Sequence, residues 1–225
     1  MKTLKLAALI TTALISTGSF AAEKVNFANP YSLYSGVSIG YGDNDASFSA
    51  QFDAKISDSW SMLGIYKGDD NFGDYAFSLS SINSNGFGVT LAYDFDKHHK
   101  GELVKAEEAE IRVHYAKGSD QGFMFLPELA IGGYKQANAS GKGNYGSVTA
   151  NLIYNASNGV WLNVAPEYKY SFSDIELNDG GHRGFSDWDV TASIGYTFKD
   201  KHSISYSYQY DANDNLSTIT YSYGF

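Results

Sequence analysis

A chain of 225 residues with 16 basic and 25 acidic side chains, net charge −9, lacks the basic footprint that nucleic acid demands. It has no Cys, which suits export to an oxidising compartment, and its longest apolar run (6–15) is too short for a helical span of about 20 residues. The chain nevertheless carries 18 Tyr, 14 Phe and 3 Trp, so its apolar content must sit on elements other than membrane helices. Residues 1–22 begin with Lys2 and Lys5, continue through that apolar run and end Ser19-Phe20-Ala21-Ala22. A basic start, a short apolar core and small residues at the close make a secretory signal peptide, cleaved after Ala22. Loss of Lys2 and Lys5 leaves 14 basic against 25 acidic residues, net −11. No Pro/Gly/Ser-rich linker or shift in composition divides residues 23–225, which read as one domain.

From there a single pattern repeats: about ten alternating residues, then a turn. It predicts strands near 34–42, 46–56, 60–67, 74–82, 87–95, 109–117, 123–134, 145–154, 160–172, 186–198, 203–210 and 217–225. Phe48, Ala50, Phe52, Ala54 and Ile56 alternate with Ser47, Ser49, Gln51, Asp53 and Lys55, and Phe87, Val89, Leu91, Tyr93 and Phe95 repeat the pattern. Helical spacing is missing almost everywhere. Residues 101–109, with Glu102, Lys105, Glu107 and Glu108, could make a turn or two of helix but lack an apolar stripe. The last strand ends Ile219, Tyr221, Tyr223, Phe225, with small or polar residues between.

Turn lengths alternate as well. With Phe225 in the periplasm, every second connection counted backward is periplasmic, and these (199–202, 155–159, 118–122, 83–86 and 57–59) are all short. The other set includes 173–185, 136–144 and 96–108, which are longer and richer in Gly, Asn, Lys and Asp. Short periplasmic turns, longer external loops and an even strand number belong to transmembrane barrels. Folding the hairpin about Asp58 sets Ile56 by Trp60, Ala54 by Met62 and Phe52 by Gly64, all on one face. Folding about Ser157 sets Tyr154 by Val160 and Leu152 by Leu162, with Asn151 by Asn163 and Ser147 by Glu167 on the other face. Aromatics mark two belts: Trp60, Phe87, Trp161, Tyr196, Phe198 and Phe225 low, and Tyr93, Phe95, Tyr170, Phe172 and Trp188 high.

Pro127 and Pro166 fall inside predicted strands, where a closed barrel has no edge to tolerate a missing N–H, so a bulge is expected at each. The segments 60–67 and 203–210 are short for a tilted span of about 9–11 residues. Ten strands therefore remain open beside twelve, and eight would require several alternating segments to be loops. A soluble β-sandwich or lipocalin-like barrel shows similar alternation, but its second face would close over an apolar interior.

These strands and the closing Ile219, Tyr221, Tyr223 and Phe225 resemble outer-membrane β-barrels of Gram-negative bacteria, of small porin-like type. The resemblance implies an all-β, antiparallel, up-and-down transmembrane barrel embedded in outer-membrane lipid. It also implies that the terminal Phe is the signal read by the barrel-assembly machinery, with periplasmic chaperones acting on the way. It is a likeness of class and implies no substrate.

With the apolar set facing lipid, the lumen holds Asp53, Lys55, Asp94, Glu110, Arg112, His114, Glu128, Asn151, Asn163, Glu167, Lys169, Asp187, Asp189 and Thr191. Folding the hairpin at Asp120 sets Arg112 opposite Glu128, with Glu110 and His114 two residues away. Such a network either fills and stiffens a narrow barrel or forms a charged constriction that selects ions or small solutes. The carboxylates outnumber Lys55, Arg112 and Lys169, which favours cations in any pore. Surface interaction without a conducting pore is the alternative.

Barrel enzymes of phospholipase, protease, deacylase or acyltransferase type need a nucleophile beside an oriented base. Of the five His, His114 has no Ser within two residues on its strand, while His98, His99 and His182 lie in external loops and His202 in a turn. The Asp- and Asn-rich stretches 67–71 and 211–215 lack the closing Glu of an EF-hand and read as turn formers. No catalytic residue, metal or cofactor is expected.

Overall fold

The structure, a computed structural model, describes residues 25–42, 45–69, 74–95, 105–136, 139, 141–178, 180–210 and 215–225. Residues 1–22, His98 and His99 lie outside these, as do parts of the stretches 67–71, 101–109, 136–144 and 211–215.

Twelve antiparallel strands form one sheet that closes on itself. The first six are Gly36–Gly42, Asp45–Lys55, Trp60–Asp69, Tyr75–Asn83, Phe87–Phe95 and Lys105–Tyr115, the last continued by Lys117–Gly118. The second six are Gly122–Gln136, Gly143–Asn155, Val160–Ser171, Ser186–Phe198, His202–Tyr210 and Asn215–Gly224. Each pairs with its sequence neighbours, and closure comes from Gly36–Gly42 against Asn215–Gly224, running from Gly36 with Gly224 to Gly42 with Thr218. Closure leaves no edge with unpaired backbone groups, which is why such a sheet can stand in lipid.

The outside confirms the expected face. Ile39, Leu91, Ile111, Ile131, Val148, Leu152, Ile194, Ile204 and Ile219 are all exposed, and Tyr170, Phe172 and Trp188 are exposed at the external end. An apolar band on this scale is stable only against acyl chains. No described helix is long and apolar enough to cross a membrane.

Several expectations are corrected. The segments at 60 and 203 form strands Trp60–Asp69 and His202–Tyr210, ten and nine residues long, so all twelve elements span and the ten-strand count falls. The helical option at 101–109 is lost wherever it can be checked, because Lys105–Tyr115 is a strand. The first hairpin pairs as expected, Ala54 with Met62 and Phe52 with Gly64. Two others are shifted by two residues: Tyr154 pairs with Leu162, Ser147 with Lys169, and Glu128 with His114 rather than Arg112. A shift of two keeps every side chain on its expected face, so the error concerned turn length alone. In the 155–159 turn, Ala156 N–H bonds Val160 O at 2.8 Å and Gly159 takes a positive φ of 91°, a backbone state that favours glycine.

Neither proline makes a bulge. Around Pro127 the register is the same on both sides, His114 with Glu128 and Lys117 with Phe125, and the facing strand breaks at Ala116, whose N–H turns to Gly86 O. At Pro166 the pairing toward Gly143–Asn155 skips Ala165 and Pro166 while the pairing toward Ser186–Phe198 continues. The sheet loses local hydrogen bonds and keeps its alignment. The irregular step recorded in the sheet lies elsewhere, between Lys105 and Glu107.

Trp161 does not join the low aromatic belt. It points inward, 6% exposed, with its indole Nε1–H toward Ser203 Oγ at 3.3 Å and its ring over Gly195, where a Cβ would overlap it. It belongs to an apolar interior that strict alternation concealed, in which Leu63, Ile82, Met124, Leu126 and Ile153 also point in.

Candidate functional site

The lumen is layered, and its layers combine inward-pointing strand residues with side chains from the segment before the first strand and from an external loop. At the external end Tyr134, Tyr145 and Phe185 meet edge to face or tilted, with centroids 5.0–6.1 Å apart, and cover buried Ile175 and Ala139. The segment after Ser171 reaches this layer because Phe185 N–H donates to Ser171 Oγ at 2.7 Å and Ile175–Glu176 pairs with His182–Arg183 as a small hairpin. His182 therefore sits in a folded external loop.

The middle layer carries the charges. Arg112 pairs with Glu110 on the same strand, and the Tyr145 hydroxyl donates to Glu110 at 2.7 Å and also contacts Glu108. Lys169 Nζ lies 3.4 Å from Glu108, 3.7 Å from Glu167 and 5.7 Å from the centre of the Tyr145 ring. Lys67 and Asp94 join Glu108, Glu110, Arg112 and Lys169 around a chamber of about 220 Å³, whose wall also includes Ile65, Ala76, Ser78 and Ala92. Charged groups of both signs sharing part-buried hydrogen bonds hold each other in fixed geometry.

The lower layer is different. Leu63, Ile82 and Leu126 surround the ring of Tyr31, which comes from the segment before the first strand. That ring stacks on His114, centroids 3.6 Å apart and planes 13° from parallel, and its hydroxyl donates to Glu128 Oε2 at 2.5 Å. Asn151 Nδ2 donates to the other oxygen of Glu128 at 2.5 Å. His114 is 1% exposed and fits because it faces Gly88, where a Cβ would overlap the imidazole. Among the described residues neither ring nitrogen of His114 has a hydrogen-bond partner, and the ring is held by its stacking on Tyr31.

The sequence-predicted lumen residues thus separate into groups. Asp94, Glu110, Arg112 and Lys169 converge in the middle chamber with Glu167 beside them, while His114 and Glu128 form the lower cluster with Tyr31. Asn151 and Asn163 are neighbours, 3.5 Å apart, although they are not paired in register. Asp187 and Asp189 pair in register with Lys169 and Glu167, on the same face. Asp53 lies near the barrel's lower end and accepts from Ser35 Oγ at 2.9 Å. Lys55 is corrected: it is exposed at the rim and pairs with Asp58 of its own turn at 3.0 Å.

Three contributors were missed. Lys67 closed the predicted strand 60–67 but was read with the turn-forming stretch 67–71, and Glu108 fell in the possible helical turn; carrying the inward alternation on from Ile65 and back from Glu110 reaches both. Tyr31 carries no periodic signal, being outside every strand.

Sequence comparison finds no match, either among protein-family models or among curated proteins. Comparison with solved structures does. An outer membrane channel from Pseudomonas putida F1 superposes with a TM-score of 0.65 at 8% identity, covering 92% of this chain and 100% of that one. The fold is that of a closed outer-membrane β-barrel. The NanC porin superposes with a TM-score of 0.53 at 7% identity, over 85% of this chain and 98% of its own. At such identities the shared property is the barrel, and no residue role passes from one chain to the other.

Proposed function

We propose that this protein is a narrow, cation-preferring channel of the outer membrane that lets ions or small solutes diffuse passively. The observation that carries the reading is the middle chamber, polar and charged, enclosed by a closed barrel whose outside is apolar. Its wall sets Asp94, Glu108 and Glu110 against Lys67, Arg112 and Lys169, and Glu128, Glu167, Asp187 and Asp189 add carboxylates above and below. An excess of wall carboxylates raises the local concentration of cations. Passive transport is favoured over catalysis because the base that enzyme chemistry would draw on, His114, is stacked under Tyr31, and among the described residues no hydroxyl nucleophile is hydrogen-bonded to it. The test is planar-bilayer recording of the refolded protein under a KCl gradient. Resolved steps whose reversal potential favours K⁺ support the reading; anion preference overturns the charge argument, and the absence of any step both in the unaltered protein and in the chain lacking residues 26–33 overturns the channel.

A further inference from the structure

The segment before the first strand takes a course that barrel closure does not require. Val25 N–H bonds Asp200 O at 3.0 Å, in the short turn 199–202. Asn26 Nδ2 then reaches Asp120 Oδ1 at 3.2 Å, in the turn before the strand Gly122–Gln136. That turn lies a third of the way around the barrel, four strands away by the shorter route around the sheet. The segment therefore bridges the mouth at the end of the short turns. It then dips inward. Ala28 is buried against Met124, Ile153 and Trp161, and Tyr31 goes deepest, onto His114 and Glu128. It returns to the wall through Ser32 O, which accepts from Gln51 Nε2 at 2.9 Å.

Two features make this a plug rather than part of the wall. None of residues 25–33 is in a strand, so withdrawing them breaks no sheet pairing and leaves the twelve strands closed, while Ser35 stays tied to the closing strand through its carbonyl, which accepts from Phe225 N–H at 2.9 Å. The inward apolar residues of the lower lumen also have a purpose only while it is there. A water-filled pore has no use for Leu63, Ile82 and Leu126 in its wall, and these are the residues that surround the Tyr31 ring. The seat is mixed: apolar walls give affinity, and Glu128 at the bottom reads the phenol hydroxyl and so sets how deep the ring goes.

We propose that residues 25–33 are a removable periplasmic plug, seated by Tyr31, whose withdrawal opens the channel. This rests on the channel reading above. Contact with the rim is polar and exposed at Asn26 and Asp120, so the segment can peel from that side while Gly36 stays anchored in the sheet. Withdrawal leaves a lumen continuous from the charged middle chamber to the lower mouth.

The absence of native Cys allows a clean test. The paired variant Asn26→Cys with Asp120→Cys, joined by a short reducible thiol crosslinker, pins the plug; deletion of residues 26–33 removes it; Tyr31→Ala unseats it without shortening the chain. Each is refolded, checked for the heat-modifiable mobility of a folded barrel, and recorded in planar bilayers beside the unaltered protein. Pinning is expected to abolish openings and reduction to restore them, while the deletion and Tyr31→Ala conduct severalfold more than the unaltered protein. If the folded deletion and Tyr31→Ala variants conduct no better than the unaltered protein, or the pinned protein opens normally, the plug is overturned and the channel reading stands. Silence of every variant, the deletion included, overturns both. Should the deletion fail to fold, Tyr31→Ala and the pinned pair decide the matter alone.

Discussion

Arginine placed at two adjacent positions should have opposite consequences. Leu91 is the fifth of nine residues in Phe87–Phe95, exposed on the outside and flanked in register by Leu79 and Ile111. It lies four residue steps from either end, about 13 Å along the strand, or roughly 9 Å of depth for a strand tilted near 45°. That puts it close to the bilayer midplane, where a lipid-facing Arg costs about 2–4 kcal/mol. Leu91→Arg should therefore shift the folding equilibrium by a factor of roughly 30 to 700. Ala92 points the other way, into the charged chamber and directly opposite Glu110. An Arg there meets water and carboxylates, so Ala92→Arg should change stability by less than about 1 kcal/mol. Urea titration of refolding into vesicles, followed by heat-modifiable mobility, measures both. Equal losses, or a larger loss at position 92, would falsify the assignment of faces on which every other statement about the lumen depends.

Two further outcomes follow from the same geometry. Arg112→Met and Glu110→Gln should each cost about 1–3 kcal/mol, because the remaining partner keeps its burial and loses its hydrogen bond. The Arg112 side chain is 40% exposed, which pulls its value toward the low end, and the double variant should lose less than the sum by about 0.5 kcal/mol or more in the same titration. Phe225→Asp should reduce the folded barrel in the outer membrane while export continues, since the Phe225 N–H bonds Ser35 O at 2.9 Å and its ring packs on Tyr223 beside the closing strand; fractionation that finds normal heat-modifiable barrel refutes a role for that residue in assembly.

How far the fold was legible follows from the local nature of alternation. An extended strand puts successive side chains on opposite faces, so a period of two is written directly in the order of residues. Phe48 to Ile56 and Phe87 to Phe95 declare their strands and their lipid face with no knowledge of neighbours. The count of twelve came from turns for the same reason: a turn is a few consecutive residues. Register was only half legible. The pattern fixes which face a residue takes but is blind to slips of two, so Arg112 could be set against Glu128 when His114 is its partner.

What alternation could not express was what fills the inside. Met124, Ile153 and Trp161 are apolar on the inward face, and sequence offers no reason for that until Ala28 and Tyr31 are seen lying against them and their neighbours. Tyr31 is 97 residues from Glu128 in the chain, and 83 residues separate it from His114. Contacts at that separation exist only once the sheet has closed around a segment that has no periodicity of its own. The sequence alone determined an antiparallel barrel with its outer face to lipid, because those properties are set between neighbours a few residues apart. Tertiary structure alone decided that its lower half is occupied by its own chain, because the seat is assembled from strands that meet only on closure.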